Sequence, residues 1–206
     1  NSMKIGLHIT LMVLLFTTST MVRAQLNFLV GYNLGIHQDH QANSLLEAHI
    51  ADNPWFKTEF RSLDIQHGLH LGLRYGFTNA RMGLTYRNTG IRAEAEGIPP
   101  NEELAFRRQI FLRTNSLGLS LESANKLINP GVSLEYNFLR ISGRTSQFSD
   151  NYRIQENGFL SATAYINFEF GSSGNIGFII QPYWSYGLTT FGLNALAEDL
   201  SVAPGD

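Results

Sequence analysis

The chain of 206 residues is long enough for one domain, and its formal net charge of −2 gives no indication of nucleic-acid binding. It contains no cysteine, which excludes disulfide scaffolds, thiolate zinc sites and attachment of a lipid through a cysteine. The 19 glycines and an aromatic content of 12% are more typical of β structure than of helices.

The first 24 residues have the pattern of a secretory signal peptide. Lys4 precedes an apolar run over residues 5–16, and Val22 and Ala24 place small residues at the −3 and −1 positions of a cleavage site. We therefore predict a signal peptide over residues 1–24 and a single mature domain over residues 25–206. A membrane-anchor helix is the alternative, but spanning a bilayer takes about 20 apolar residues and this run is shorter.

From Gln25 onward, apolar side chains alternate with small or polar ones, and this period of two indicates β-strands with one apolar face. Two places break the pattern. Ile110 and Leu112 oppose the phase of the leucines that follow, which predicts a bulge near Asn115, and a later segment changes phase at Leu139 and Ile141. Seven segments can be counted, with apolar phases over residues 26–36, 69–77, 82–86, 117–121, 132–138, 160–170 and 176–188.

The connections between these segments alternate in length. Tight turns are predicted at residues 78–80, 123–126 and 172–175. Longer connections are predicted at residues 37–66, 94–104 and 146–157, the first with a short helix around residues 44–51. Outer-membrane β-barrels have short periplasmic turns and longer outer loops, so with a periplasmic N-terminus every long connection would be extracellular. Residues 194–206 are predicted to form a fourth outer loop, which would put the closing strand beyond residue 206, unless two strands are merged before Gly68.

The same alternation fits a soluble lipocalin-like barrel, in which the apolar face would fill the core. Strands of about 13 to 18 residues are longer than globular strands, and aromatic residues such as Tyr75, Phe77, Phe168 and Phe170 cluster near strand ends, as at membrane interfaces. Residues 25–193 therefore resemble the small bacterial outer-membrane β-barrel proteins, through their architecture and without a diagnostic motif. The resemblance implies an antiparallel up-and-down transmembrane barrel of about eight strands, in contact with outer-membrane lipid, lipopolysaccharide and other outer-membrane proteins.

In such a barrel the polar phase would line the interior. Arg74 and Arg87 are predicted to pair with glutamates, because buried charges must be paired and hydrogen-bonded. A filled interior is expected, and a conducting pore, which needs a wider barrel, is the alternative. The predicted interior network comprises Arg74, Arg87, Glu135, Asn137, Asn167 and Glu169.

The long connections carry aromatic residues that would either fold together as a lid or dock a partner. These candidate lid or partner contacts are Trp55, Phe56, Phe148 and Tyr152. Nearby arginines are candidates for contact with lipopolysaccharide phosphates, namely Arg107, Arg108 and Arg113.

Two patterns suggest chemistry, but neither has a defining spacing. The histidines at positions 37, 40, 67 and 70, with Asp39, could hold a transition metal. Ser44 or Ser62 with His49 or His67 could form the nucleophile and base of a lipid A-modifying hydrolase. We predict no catalytic residue, metal or cofactor, no nucleic-acid partner, and a non-enzymatic outer-membrane scaffold or accessory subunit of a larger complex. A lipid A-modifying enzyme and a soluble lipid carrier are the alternatives.

Overall fold

The computed structural model describes residues 25–36, 40–63, 65–100, 102–125, 127–147, 150–170 and 177–201. Several predictions fall on other residues and lie outside this described part of the chain. They are the signal peptide over residues 1–24, the turn at residues 172–175, the cluster at His37 and Asp39, and the loop residue Phe148.

The described residues form eight antiparallel strands in one sheet and two short helices. The strands are β1 (Gln25–Ile36), β2 (Ile65–Gly76), β3 (Ala80–Gly97), β4 (Phe106–Ser123), β5 (Ile128–Thr145), β6 (Tyr152–Phe170), β7 (Phe178–Ile180) and β8 (Tyr183–Gly187). The helices are α1 (His40–Asp52), where the sequence predicts one, and α2 (Asn194–Ser201). Neither of these helices is long and apolar enough to cross a bilayer.

From β1 to β7 each strand pairs with the next along the chain, and β8 also pairs with β6. These last two strands keep one register on β6, and the Ile166 N–H donates to the Pro182 carbonyl between them at 3.1 Å. They are therefore two halves of the seventh predicted segment, interrupted where proline cannot donate to the ladder. Among the described residues β1 does not pair with β7 or β8, so the sheet is not closed there.

The sheet curls strongly. Arg74 on β2 and Glu169 on β6 approach to 3.1 Å, although their strands are four places apart. Strands about 4.8 Å apart would separate these residues by roughly 19 Å in a flat sheet. The sheet therefore has a concave face, on which side chains of distant strands meet, and a convex face.

The predicted bulge near Asn115 and the predicted phase change at Leu139 are wrong. β4 pairs with both neighbours without a register shift, and its even-numbered residues, including Ile110 and Leu112, all point to the concave face. Leu139 likewise shares its face with the other odd-numbered residues of β5. These apolar residues seemed out of phase because the concave face is polar over only part of its length.

A register shift does occur elsewhere, between β5 and β6. Ile141 pairs with Gln155 and Ser142 pairs with Arg153, so Ile154 is an extra residue on β6. Such a bulge bends its strand and increases the local twist. It lies at the end of the sheet where the helices pack.

The apolar end of the concave face is covered by α1 and α2. Leu193, Leu196 and Leu200 recur at helical spacing, so one side of α2 is buried where the sequence predicts a loop. Asn53 ends α1 by donating from Nδ2 to the His49 carbonyl at 2.9 Å. We call the helices and the core beneath them the cap; its buried residues are Ala42, Leu46, Leu63, Ala93, Ile110, Leu112, Leu139, Ile141, Leu193, Leu196 and Leu200.

Replacing Ile110 with alanine is expected to destabilise the protein by about 3 kcal/mol, because it leaves a cavity in the fully buried core of the cap. Leu119→Ala is the matched control from the same strand, since Leu119 is 68% exposed on the convex face. Urea unfolding in detergent micelles should show a loss of about 1 kcal/mol for that control. Equal losses for the two variants would contradict the placement of the core.

Candidate functional site

The concave face collects the buried polar side chains of the sheet. Successive residues of a strand point to opposite sides, so each outward apolar residue places its neighbours inward. All six residues of the predicted interior network lie on this face. Five of them are buried and Glu169 is partly exposed: Arg74, Arg87, Glu135, Asn137, Asn167 and Glu169.

Four charged residues from four strands form one cluster near the tight-turn end. Arg74 Nη1 lies 2.7 Å from Glu122 Oε1 and 3.1 Å from Glu169 Oε1. Arg81 Nη1 lies 3.3 Å from Glu122 Oε1 and also contacts Glu169. Asn167 donates from Nδ2 to the second carboxylate oxygen of Glu122. Two positive and two negative charges meet here, so the cluster is neutral, as its burial requires.

Glu122 and Arg81 are absent from the network predicted from the sequence, although the signal for them is present. Leu121 and Met82 point outward, so the adjacent residues must point inward. Glu122 and Arg81 also face each other directly across β3 and β4. The pairing of Arg74 with Glu169 matches the predicted partners, and Glu122 adds a further partner.

A second ion pair lies further along the concave face. Arg87 on β3 donates to Glu135 on β5, whose other carboxylate oxygen accepts from Ser133. The Tyr183 ring lies 4.9 Å from the Arg87 guanidinium carbon, on a strand four places away. This geometry is a cation–π contact, which stabilises a guanidinium that has lost its water.

Neutral hydrogen bonds and glycines complete this layer. Asn137 accepts from Ser116 at 2.5 Å and donates to Ser161 at 2.8 Å, so it links β4, β5 and β6. Gly118 is required for packing, because a Cβ there would lie 2.6 Å from Cγ of Glu135. A Cβ at Gly131 would likewise lie 2.5 Å from the ring of Tyr165.

Between the Arg87 layer and the cap lies a cavity of about 170 Å³. Its floor is polar and includes Arg87, Glu135 and Asn137, whereas its roof is apolar. The roof residues are Leu112, Leu139, Phe159 and Phe191. Buried polar side chains therefore lie on one side of this cavity, and the apolar core of the cap lies on the other.

The convex face is apolar and exposed, the reverse of a globular protein in water. Phe28 is 72% exposed and Trp184 is 79% exposed. Ile166 and Phe178 are exposed on this face and Leu71 is half-buried, opposite in direction to Arg74 and Glu169. The apolar face of the sheet is thus the convex face, and the charged face is the concave one.

Three of the predicted lid or partner contacts are among the described residues. They pack against other residues of the same chain. Trp55 stacks on Phe56 with ring centroids 4.0 Å apart, and Phe106 contacts both rings. Tyr152 donates from its hydroxyl to the Asp199 carboxylate at 3.4 Å. These three predicted residues therefore contact other residues of the chain at the cap end of the sheet.

The three arginines considered together in the sequence separate in the structure. Arg108 points inward and donates from Nη2 to both the carbonyl and the carboxylate of Asp199, each at 2.6 Å. This buried ion pair ties α2 to β4. Arg107 and Arg113 point outward, and Arg107 pairs with Glu96 at 2.9 Å.

His49 lies on α1 and belongs to the cap. Its ring contacts Phe56 and Phe60, with centroids 5.6 Å and 6.1 Å away. Burial lowers the pKa of His49 below its usual value of 6.5, and the charge of Arg108 lowers that pKa further. Ser62, a candidate nucleophile, accepts a hydrogen bond from Asn43 at 3.4 Å.

The candidate metal ligands on β2 diverge. His67 points outward, with Nδ1 lying 2.6 Å from the Tyr32 hydroxyl, whereas His70 points inward opposite Arg87. Two side chains three residues apart on a strand face opposite sides and cannot share an ion. Within the described ranges, no group of three or more His, Cys, Asp or Glu residues could hold a metal ion.

Replacing Glu122 with glutamine is expected to destabilise the fold by about 3 kcal/mol, because Arg74 and Arg81 would keep only one carboxylate between them in a buried site. Glu156→Gln is the matched control, since that exposed carboxylate also bridges two arginines. It should cost less than about 1 kcal/mol. Equilibrium unfolding in urea gives both values, and a loss for Glu122→Gln no larger than the control would contradict a structural role of the cluster.

The chain was compared with family models, with curated protein sequences and with solved structures. None of the three comparisons gives a match.

Proposed function

We propose that this chain is a bacterial outer-membrane β-barrel of about eight strands, acting as a non-enzymatic scaffold or as an accessory subunit of a larger membrane complex. The inverted burial of the sheet carries the proposal. Charged residues such as Arg74 and Glu122 are buried, while Phe28, Leu119 and Trp184 are exposed.

A hydrocarbon environment would make this distribution favourable. Burying a large apolar side chain is worth about 1.5–3 kcal/mol relative to leaving it in water. Soluble monomers rarely expose a continuous apolar patch of more than a few hundred Å². Here exposed apolar side chains occur on all eight strands. A bilayer would cover them, and the paired charges of the concave face would stay away from lipid.

The apolar band also shifts along the strands as tilted strands in a membrane require. One hydrogen-bonded row joins Val30, through β2 to β5, to Leu160. On β1 the band extends from this row toward the cap as far as Leu34. On β6 the band begins in the row itself, at Leu160, and extends toward the tight turns as far as Phe170. A band parallel to a membrane must shift in this way in a barrel, because the strands tilt and the register staggers.

The height of the band fits a bilayer. On β6 the outward apolar residues run from Leu160 to Phe170. At about 3.4 Å per residue and a tilt of about 40°, this stretch is about 25 Å tall, the height of the apolar band on outer-membrane barrels.

Aromatic residues border the band at both edges. The edge nearer the cap has four tyrosines on strands that run in the same direction: Tyr32, Tyr86, Tyr136 and Tyr186. Tyr86 donates from its hydroxyl to Asn115 at 2.9 Å, which marks the transition to polar residues. Phe170 and Phe178 lie at the opposite edge. Two aromatic girdles are typical of membrane barrels.

Closure of the sheet calls for one more strand. Because the strands alternate in direction, β1 and β8 run the same way and could pair with each other only in parallel. A strand running the opposite way would pair antiparallel with both. The residues Phe28, Tyr32 and Trp184 lie on the two edge strands and are among the most exposed on the convex face, as expected at the edges of an open sheet. In a bilayer such edges must be hydrogen-bonded.

The proposed orientation has the N-terminus and the tight turns in the periplasm and the cap outside the cell. The concave space holds paired charges, a cavity of about 170 Å³ and the cap. This filling favours a rigid scaffold over a pore. The cap and the long connections would then face extracellular partners, and the apolar band would face lipid or other membrane proteins.

Trp184 is expected to lie in acyl chains near the middle of the bilayer. The chain has two tryptophans. Trp55 packs against Phe56 and Phe106 next to the cap, so each tryptophan can be observed alone in a variant that lacks the other. In the W55F variant in phospholipid vesicles, lipids brominated near the middle of the acyl chains should quench Trp184 strongly. The W184F variant is the control, and its Trp55 should escape that quenching.

Acrylamide in the surrounding water should give the reverse order, quenching Trp55 more than Trp184. A Trp184 that responds to acrylamide but not to brominated lipid would contradict membrane insertion. Strong lipid quenching of Trp55 would contradict the position of the cap outside the bilayer.

Cysteine pairs test how the sheet closes, and the chain has no native cysteine to interfere. Val30→Cys with Leu71→Cys joins directly opposed residues of β1 and β2 and should form a disulfide. Val30→Cys with cysteine at position 182, 184 or 186 should not, because in the proposed barrel a further strand would separate β1 from β8 by about 10 Å. An efficient disulfide at any of the three would show that the two edges pair directly.

A further inference from the structure

A basic surface lies on the convex face of β3 to β6, between the apolar band and the cap. Glu94 is shared by Arg92 and Arg107, and Glu156 is shared by Arg140 and Arg153. Arginines therefore outnumber carboxylates among the described residues of this surface. The arginines are Arg92, Arg107, Arg113, Arg140, Arg144 and Arg153, and the carboxylates are Glu94, Glu96 and Glu156.

Two of these arginines are placed side by side. Arg113 on β4 and Arg140 on β5 are directly opposed in the register, and both are exposed. Like charges in opposed positions destabilise a sheet. Arg140 is bonded to Glu156 at 2.6 Å, but Arg113 has no carboxylate within 4.0 Å among the described residues. Its other neighbour across the ladder is Gly90, whose lack of a side chain leaves the guanidinium accessible.

The residues next to this pair, on the side of the band, are amphipathic. Asn115 and Phe138 oppose each other in the next outward row, and Leu117 and Tyr136 in the row after that. Asn88 donates to Asn115, which adds amide groups at this level. From the arginines toward the tight turns, the surface therefore changes from cationic to amide-bearing to apolar within two outward rows.

We propose that Arg113 and Arg140 together bind the phosphate of an anionic lipid headgroup, whose acyl chains lie along Leu117, Leu119 and Tyr136. The proposal rests on the membrane location proposed above. A phosphate accepts hydrogen bonds from two guanidinium groups and removes the repulsion between them. The apolar strip below the pair favours a lipid over inorganic phosphate, because only a lipid occupies both surfaces.

The test uses the full chain reconstituted in phosphatidylcholine vesicles that contain phosphatidylglycerol. The lipid retained after mild solubilisation is then quantified. The wild-type protein should retain phosphatidylglycerol well above its bulk fraction. R113Q/R140Q should reduce that enrichment by roughly tenfold or more. R92Q/R107Q is the matched control, since it removes two charges from the same face at arginines that share Glu94 and leaves the partners of Glu156 in place, and it should change the enrichment less than about twofold.

Equal losses in the two double variants would overturn the site, since they would show diffuse attraction only. Displacement of phosphatidylglycerol by an equal concentration of inorganic phosphate would overturn the choice of a lipid. If R113Q/R140Q does not fold, R113K/R140K keeps both charges without the bidentate geometry. It should lose part of the enrichment, and full retention would contradict the bidentate site. If the wild-type protein inserts but does not enrich phosphatidylglycerol, only this site is contradicted. If the protein fails to insert, the proposed function is contradicted.

Discussion

The buried cluster of Arg74, Arg81, Glu122 and Glu169 is the interaction on which the rest of the structure depends. Its members come from four strands and neutralise one another only if the sheet curls. Because side chains alternate along a strand, a residue such as Arg74 that points inward obliges Leu73 and Tyr75 to point outward. The charged interior and the apolar exterior are therefore one consequence of the same pattern. Removing a partner from such a buried group costs far more than breaking an exposed ion pair.

The concave face is not uniform, because side chains of different polarity follow one another along it from one end to the other. Charges occupy the tight-turn end, hydrogen-bonded amides and hydroxyls lie above them, and aliphatic residues such as Ile110 and Ile141 form the other end. An apolar end open to water would be unfavourable, and the two helices cover it. Arg108 donates hydrogen bonds to both the backbone carbonyl and the carboxylate of Asp199, and this pair holds α2 against β4. Under the proposed function, this filled interior supports loops and contacts instead of transport.

Strand existence, order and facing were predictable from the sequence because a period of two persists over every long segment. The facing of Arg74, Arg87, Glu135 and Asn167 followed from the same period. The cap was not predictable in this way. The polar phase is interrupted by Ile110, Leu112, Leu139 and Ile141. If one polarity is assumed for each face, these residues wrongly predict a bulge in β4 and a phase change in β5. Helix α2 was missed because eight residues are short for a periodic signal, and its leucines become meaningful only above an apolar strand end. The Arg113–Arg140 pair depends on the register of β4 and β5, which alternation alone does not determine.

The most direct test of the central claim is the accessibility of nitroxide labels placed in turn along β5 in protein reconstituted with phospholipid vesicles. Labels at residues 132, 134 and 136 should be relaxed by oxygen dissolved in the acyl chains, and labels at residues 133, 135 and 137 should be shielded from it. The account predicts this alternation with a period of two. Equal exposure of both sets to a water-soluble nickel reagent would contradict insertion of the apolar face into lipid. Shielding of residues 132, 134 and 136 alone would place the apolar face inside a soluble shell, which would also contradict it.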